Sequence, residues 1–335
     1  MVHGKGADIS NVKQMQRWAE EKYITAHIVK KLADCAKAKG DFERADSYWN
    51  CYYCAKFVTT ANGLLFTEYC KTRICALCNE IRKAIKIKFY LPVVQRWSDP
   101  FSMVLTVKNV PAKELNQRID EMYILLEKIK NKYKTRFRRK TGIKLVGFRV
   151  FECTYNRTRD DYHPHFHLVV ADRKIADVIR TEWIIEGQKL WGKESIYERS
   201  QKYRRIEKEG EENALARIIK YGTKIFSEHN PRNKKSKKGV YIEALDTIIA
   251  AMEDRRIFDR FGFNLPSRPK EEKRVQYLKD YKAWTFVCEY ADWLEKDGAL
   301  SLSNFVIQDE MRVFFNESII NTKTHEFPPK KFIIY

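Results

Sequence analysis

The middle of the chain begins with a run of apolar residues and then changes to a helical pattern. The run from Phe101 is stopped by Asn109 and Pro111, which predicts a buried strand. Apolar residues then recur every three or four positions, and this spacing predicts a long helix with one buried stripe. The stripe consists of Leu115, Ile119, Met122, Leu125, Leu126 and Ile129.

Two more strands are predicted next, over 144–155 and from Tyr162 onward, with turn-forming residues at 156–161 between them. The second of these strands would return antiparallel to the first. A further helix is predicted over 175–191. The order strand, helix, strand, strand, helix predicts an α+β fold, in which helices pack on one face of a mainly antiparallel sheet.

The segments on either side of this core have helical spacing. Apolar positions predict helices over 12–32 and 42–49 on one side and over 211–226 and 241–252 on the other. The last part of the chain predicts an aromatic-rich helix, whose rings would form a small core or a partner interface, with stacking on bases as the alternative. Its aromatic residues are Tyr277, Tyr281, Trp284, Phe286, Tyr290 and Trp293.

These patterns divide the chain into four parts. We expect an N-terminal helical segment at 1–50, a cysteine-rich module at 51–95, the α+β domain at 96–265 and a C-terminal helical segment at 266–335.

Positive charge dominates the composition. The 335 residues include 64 Lys and Arg against 44 Asp and Glu, a formal net charge of +20. This charge predicts a polyanionic partner, and nucleic acid is the first candidate. No apolar run approaches the roughly 18–20 residues of a membrane span, and the N-terminus lacks the apolar core of a signal peptide. We therefore expect a cytoplasmic protein with no membrane partner.

Five of the eight cysteines lie close together between residues 51 and 78. Cys51 and Cys54 form one C-x2-C pair, Cys75 and Cys78 form another, and Cys70 lies between the pairs. This spacing lets a tight turn present two thiolates to one tetrahedral zinc ion. Because zinc takes four ligands, one of the five would be spare. A structural zinc site is the prediction, and a group of buried free thiols is the alternative.

Three of the seven histidines lie within five residues, at His163, His165 and His167. On a strand they share one face because successive side chains alternate, so neighbouring imidazoles would point at one divalent ion. The alternative is a polar face with satisfied histidines. In the predicted hairpin Glu152 lies opposite His165, which makes it the candidate third ligand. A salt-bridged core glutamate is the alternative there.

One tyrosine lies at the rim of the apolar stripe of the helix at 211–226. Tyr221 has Arg217 one turn before it and Lys224 one turn after it. Positive neighbours favour the phenolate, which is the form that attacks phosphorus. Taken alone, Tyr221 would be a packing or interface residue, and the histidines are what favour a nucleophile.

Four short motifs occur in a fixed order along the chain. They are a cysteine run at 70–78 with Cys54 upstream, a buried strand with a central threonine at 103–109, HPHFH at 163–167 and KYGTK at 220–224. Together they resemble the plasmid rolling-circle replication initiators of the Rep_1 type, in the HUH endonuclease superfamily. The resemblance covers residues 45–262.

The resemblance implies a ferredoxin- or RRM-like palm that carries the nuclease site, so the domain at 96–265 would be the HUH nuclease. His165 and His167, joined by Glu152, would hold a catalytic Mg²⁺ or Mn²⁺. Tyr221 would be the nucleophile, flanked by Lys220 and Lys224. The zinc ligands would be Cys54, Cys70, Cys75 and Cys78, with Cys51 as the alternative.

The implied function is a site- and strand-specific DNA nickase and joining enzyme. Tyr221 would form a 5′-phosphotyrosine bond and leave a free 3′-OH that primes rolling-circle replication. The implied partners are single-stranded or extruded origin DNA, a host helicase and a polymerase, in the cytoplasm of a prokaryote that carries a plasmid or mobile element. Arg217 occupies the position where the family often has a Glu thought to activate water, so hydrolytic termination is not implied.

The candidate DNA contacts are Arg73, Arg82, His163 and Arg217, and a solvated basic face is the alternative for the first two.

Two other functions share parts of the pattern. A single-tyrosine transposase or relaxase would use the same chemistry, although the cysteine run favours an initiator. A zinc-stabilised DNA-binding regulator without catalysis would bind duplex DNA irrespective of Mg²⁺.

Overall fold

Two antiparallel sheets organise the part of the chain that the computed structural model describes, which is residues 7–207, 241–266, 282–295, 298 and 300–307. Each sheet belongs to one of two compact units. Among the described residues, the first unit contains 7–81, 241–246, 282–295, 298 and 300–307, and the second contains 82–207 and 247–266. The four-part division of the sequence stays a prediction.

The helices and strands follow one another along the chain in this order. The first are β1 (Ala7–Asp8), α1 (Val12–Ala38), α2 (Phe42–Tyr53), β2 (Phe57–Ala61), β3 (Leu64–Thr67) and α3 (Ala76–Val94). They are followed by β4 (Phe101–Thr106), α4 (Ala112–Arg138), β5 (Gly147–Asn156), β6 (Asp161–Val170), α5 (Arg173–Trp191) and β7 (Tyr203–Arg205). The last are α6 (Ile242–Met252), β8 (Phe258–Phe261), β9 (Lys282–Val287) and β10 (Asp292–Glu295).

The second unit has the predicted α+β architecture. Its sheet has the order β7-β4-β6-β5-β8, and every neighbouring pair is antiparallel. The predicted stripe of α4 is buried. Phe166 of β6 meets Tyr123 of α4 and Trp183 of α5, with ring centroids 5.2 and 6.1 Å apart. Because strand residues alternate, the histidines of β6 face the opposite side of the sheet.

The β5–β6 hairpin has the predicted register, and its turn residues explain why. The side-chain oxygen of Asn156 accepts hydrogen bonds from the backbone N–H groups of Thr158 and Arg159, at 3.0 and 3.3 Å. This Asn-initiated turn closes locally. The pairing that follows places Glu152 directly opposite His165.

The first unit contains a sheet of order β1-β3-β2-β9-β10. The prediction of a helix through the aromatic residues near the C-terminus is wrong, because Trp284 and Phe286 lie in β9 and Trp293 lies in β10. Trp284 and Phe286 are two residues apart and both buried, which is the period of a strand. Tyr277 and Tyr281 lie outside the described residues. In the described helices we find none with the length and apolar character needed to cross a membrane.

Candidate functional site

Three potential metal ligands meet on the side of the second sheet that faces away from α4 and α5. Oε2 of Glu152 lies 2.8 Å from Nε2 of His167 and 3.2 Å from Nε2 of His165, and the two Nε2 atoms are 3.1 Å apart. Glu152 and His165 are buried, whereas His167 is partly exposed. The structure therefore brings together the three residues that the sequence predicted, and their role as ligands stays a prediction.

The spacing of these atoms fits one divalent cation. Ligand atoms at right angles and about 2.1 Å from Mg²⁺ are about 3.0 Å apart, which is close to all three separations. Nδ1 of His165 lies 3.0 Å from the carbonyl oxygen of His163. Because a carbonyl only accepts, Nδ1 is the donor in this contact, and Nε2 is the ring nitrogen that faces the group.

His163 packs beside this group through its ring. Its Nε2 is hydrogen-bonded to Oγ1 of Thr106, and its ring stacks on that of His165 with centroids 4.8 Å apart. Burial, with a smaller contribution from His165, lowers the pKa of His163 to about 3, so the ring is neutral at pH 7.

The end of β4 is held by the buried side chain of Gln201. Its Oε1 accepts from the N–H of Thr106 at 2.8 Å, and its Nε2 donates to the carbonyl oxygens of Thr106 and Tyr197, both at 3.1 Å. Nε1 of Trp183 also donates to the carbonyl of Thr106, at 3.3 Å. The Gln201 amide thus pairs with Thr106 as a neighbouring strand would, and it fixes the residue whose hydroxyl contacts His163.

Four cysteines come together in the first unit. The Sγ atoms of Cys54, Cys70, Cys75 and Cys78 all lie within 4.8 Å of one another, and Cys78 is 3.7 Å from both Cys54 and Cys70. Sulfur atoms about 2.3 Å from a tetrahedral zinc ion are about 3.8 Å apart. All eight cysteines are free thiols. The group therefore has the spacing of a zinc site.

Backbone N–H groups point at these sulfurs. The N–H of Cys70 donates to Cys54, that of Lys71 to Cys78 and that of Thr72 to Cys70, at 3.3–3.4 Å. Lys71 has a positive φ of 60°, which turns the chain sharply between these donors. Donors of this kind stabilise the thiolate form that binds metal.

A buried lysine lies beside the cysteine group. Lys22 of α1 is 2% exposed, and its Nζ donates to the carbonyl oxygen of Tyr52. Burial lowers the pKa of Lys22, and the nearby thiols of Cys54 and Cys51 oppose that effect. Cys51 is buried as well, but it does not belong to the group of four. An ammonium group here would offset the negative charge of metal-bound thiolates.

Two of these buried polar residues were not predicted from the sequence. Lys22 interrupts the apolar stripe of α1, and a cation at such a position is a signal that could have identified it. Gln201 lies in an irregular stretch between α5 and β7, where no periodic pattern marks a buried residue.

The predicted nucleophile Tyr221 and its neighbours Arg217, Lys220 and Lys224 lie outside the described residues. Of the two arginines expected near the cysteines, Arg73 is exposed and Arg82 is partly buried. Their contact with DNA stays a prediction.

The chain is similar to proteins named for replication. The family model described as replication protein, Rep_1, matches residues 62–276. A "Protein rep" of Streptococcus pneumoniae is 31% identical over 153 residues, which cover 42% of this chain and 45% of that protein. A "Protein rep" of Staphylococcus aureus is 33% identical over 112 residues, which cover 31% of this chain and 46% of that protein.

A longer and weaker match covers more of both chains. A "Protein rep" of Lentilactobacillus hilgardii is 27% identical over 196 residues, or 55% of this chain and 59% of that protein. The chain thus spans less than half of the first two curated relatives and under two thirds of the third. No solved structure gives a significant match.

Proposed function

The chain belongs to the replication protein family Rep_1, and on that premise we propose that it nicks one strand of a plasmid origin to start rolling-circle replication. The observation that carries the proposal is the convergence of Glu152, His165 and His167 on one face of the second sheet. Two imidazoles and a carboxylate are a ligand set that binds a divalent cation and leaves positions for phosphate oxygens.

Glu152, His165 and His167 would hold Mg²⁺ or Mn²⁺. When bound, the ion polarises the scissile phosphate and offsets the charge that develops on its oxygens. His163 keeps His165 in the ligating tautomer through its carbonyl group. Thr106 keeps the His163 ring in place, and Gln201 keeps Thr106 in place.

Tyr221 would supply the nucleophile. Its phenolic oxygen, having lost its proton, attacks the phosphorus in line, and the bond from phosphorus to the 3′ oxygen breaks. The released oxygen takes up a proton and becomes the 3′-OH, while the 5′ phosphate stays esterified to Tyr221. Lys220 and Lys224 would favour the phenolate. The ester conserves the bond energy, so the same residue also serves strand joining.

The cysteine group would have a structural role. Cys54, Cys70, Cys75 and Cys78 would fill all four positions of a zinc ion and leave none for a substrate. Arg73, Arg82 and Arg217 would contact the phosphates of origin DNA. The protein would act in the cytoplasm of its prokaryotic host, where a helicase would unwind the duplex and a polymerase would extend the primer.

Nicking of single-stranded oligonucleotides tests this proposal. Oligonucleotides that tile the DNA around the gene, labelled at the 3′ end, are incubated with the purified chain with and without added Mn²⁺. We expect one oligonucleotide to be cut only with Mn²⁺ and its labelled 3′ fragment to remain attached to the protein in denaturing gels.

Two variants identify the nucleophile. Tyr221→Phe should bind DNA but form no adduct, whereas Tyr53→Phe, which alters an exposed tyrosine of the first unit, should form it normally. An adduct in the Tyr221→Phe variant would exclude that residue. DNA binding without any cleavage by the unmodified protein would instead favour a zinc-stabilised regulator.

A further inference from the structure

A cleft opens next to the Glu152–His165–His167 group, on the same unit. Its volume is about 620 Å³, and Thr106 and His163 are among the residues that line it. The His163 ring that lines it stacks directly on His165. Pockets of roughly 300–1,000 Å³ hold ligands of nucleotide size. A strand whose phosphate lies at the metal ligands would therefore continue into this cleft.

Two segments of different structure line the cleft beside residues of the β5–β6 hairpin. One is the end of β4 and the residues after it, through Lys108 and Asn109. The other is the irregular stretch from Ser195 to Lys202, between α5 and β7. Backbone hydrogen bonds join the two segments, from the N–H of Lys108 to the carbonyl of Ser195 at 2.9 Å and from that of Val104 to the carbonyl of Lys202 at 2.8 Å. The cleft is thus built into the fold.

The charges of the cleft suit an anion. Lys108 and Lys202 are exposed, and within the part of the chain that the structure describes neither ammonium is paired with a carboxylate. Among the described residues that line the cleft, Asp161 is the one carboxylate, and its two oxygens accept from Asn109 Nδ2 at 2.6 Å and Arg159 Nε at 2.8 Å. Asp161 is therefore neutralised locally, and the two lysines give the cleft a net positive charge.

One aromatic ring lines the cleft in an exposed position. Tyr197 is 48% exposed, although its backbone is fixed because its carbonyl accepts from Gln201 and from the N–H of Ser200. An aromatic side chain that stays accessible beside unpaired lysines is the arrangement that stacks on a nucleobase while cations contact the backbone. The two hydrogen bonds to its carbonyl fix the backbone from which this exposed ring projects.

We propose that the cleft binds the nucleotide adjoining the scissile phosphate, with its base stacked on Tyr197 and its flanking phosphates contacted by Lys108 and Lys202. The inference rests on the proposed nicking function and adds to it a position at which the strand is held. Tyr197 contacts neither the metal ligands nor the reacting phosphate, so it acts in binding and positioning.

A double-mutant cycle between the protein and the DNA tests the stacking. Binding of the intact oligonucleotide that the protein cuts, and of copies with one abasic position each, is measured by fluorescence anisotropy without added Mg²⁺ or Mn²⁺. Cleavage is thereby prevented without a chelator that would remove structural zinc. For the unmodified protein, the abasic change next to the nick should weaken binding about 10-fold, as loss of one base–aromatic stack does. Tyr197→Ala should weaken binding of the intact oligonucleotide equally, and the abasic change should then add nothing.

Two controls separate stacking from general damage. Tyr197→Phe keeps the ring and should bind as the unmodified protein does. Tyr290→Ala removes a tyrosine that is 61% exposed in the turn between β9 and β10, and it should leave every abasic effect unchanged. Circular dichroism checks that each variant is folded.

The salt dependence of binding tests the lysines. The double variant Lys108→Ala and Lys202→Ala should reduce the slope of log affinity against log salt by about 1.4, since each phosphate contact to a single strand contributes about 0.7. Lys128→Ala removes an exposed lysine of α4 that is paired with Glu186, and it should leave the slope unchanged.

The outcomes distinguish this inference from the function on which it rests. Normal nicking, combined with additive losses for Tyr197→Ala and the abasic change, would overturn the cleft assignment and leave the nickase intact. Coupling between Tyr197→Ala and an abasic position far from the nick would also overturn the cleft assignment. If the unmodified protein cuts no oligonucleotide with Mn²⁺, the nickase proposal fails, and the assignment of the cleft fails with it.

Discussion

Replacing Gln201 with Leu should loosen the end of β4 without creating a cavity. Leu has nearly the volume of Gln, so the change removes hydrogen bonds while the packing volume is largely kept. Three hydrogen bonds disappear, one accepted from the N–H of Thr106 and two donated to the carbonyls of Thr106 and Tyr197. The free-energy cost depends on which of these groups keeps another partner.

Both carbonyls keep a donor in this variant. That of Thr106 still accepts from Nε1 of Trp183 at 3.3 Å, and that of Tyr197 still accepts from the N–H of Ser200 at 3.0 Å. The N–H of Thr106 loses the Gln201 oxygen in a buried position. A buried donor left unsatisfied costs about 1–3 kcal/mol, so we expect β4 to lose about 2 kcal/mol of local stability.

Hydrogen–deuterium exchange measures this loss directly. A cost of about 2 kcal/mol corresponds to roughly 30-fold faster exchange of the β4 amides. Gln117→Leu is the matched control, because Gln117 is exposed on α4 and its side chain donates to Glu121 in an exposed hydrogen bond of 2.8 Å. It should change local stability by less than about 0.5 kcal/mol. Unchanged exchange of β4 in a folded Gln201→Leu variant would refute the bonding role assigned to this amide.

Three further changes test the two ligand groups and one buried carboxylate. Cys78→Ser should lose bound zinc, measured as metal per chain, while Cys35→Ala should retain it, and equal zinc contents would contradict the assignment. Glu152→Gln should raise the Mn²⁺ concentration for half-maximal nicking by at least about 10-fold, with DNA affinity in the absence of added Mn²⁺ unchanged; an unaltered Mn²⁺ requirement would remove Glu152 from the ligand set. Burial raises the pKa of Glu21 from 4.5 to about 7, so its favourable contribution to folding is complete below about pH 4.5 and is lost as pH rises through about 7. Glu21→Gln should therefore reduce the fall in unfolding free energy between about pH 5 and pH 8 in urea titrations, and an identical fall would show that Glu21 titrates normally.

The β5–β6 hairpin could be predicted because its determinants are local. The three potential ligands lie between residues 152 and 167, and Asn156 closes the turn through its own side chain. The alternation of strand residues then places Glu152 and the histidines on one face without help from distant parts of the chain. The spacing of the cysteines was informative for the same reason, since all four lie within 25 residues of sequence.

The C-terminal strands and the cleft could not be predicted in this way. β9 pairs with β2, more than 200 residues earlier, and Nε1 of Trp284 donates to Oγ1 of Thr60 at 2.8 Å. A partner so distant in sequence decides between helix and strand where the local aromatic spacing does not. Tyr197 and Gln201 lie in an irregular stretch, where burial and exposure depend on the surrounding fold rather than on a repeating pattern.

Because β2 pairs with β9, the first sheet can be completed only late in synthesis on the ribosome. Every described strand of the second sheet precedes residue 262, whereas β2 must wait until β9 has been synthesised. During that interval β2 presents an open edge, which invites pairing with other chains. A premature stop shortly after β8 would make this state permanent. Such a fragment would keep the potential nuclease ligands and yet be prone to aggregate.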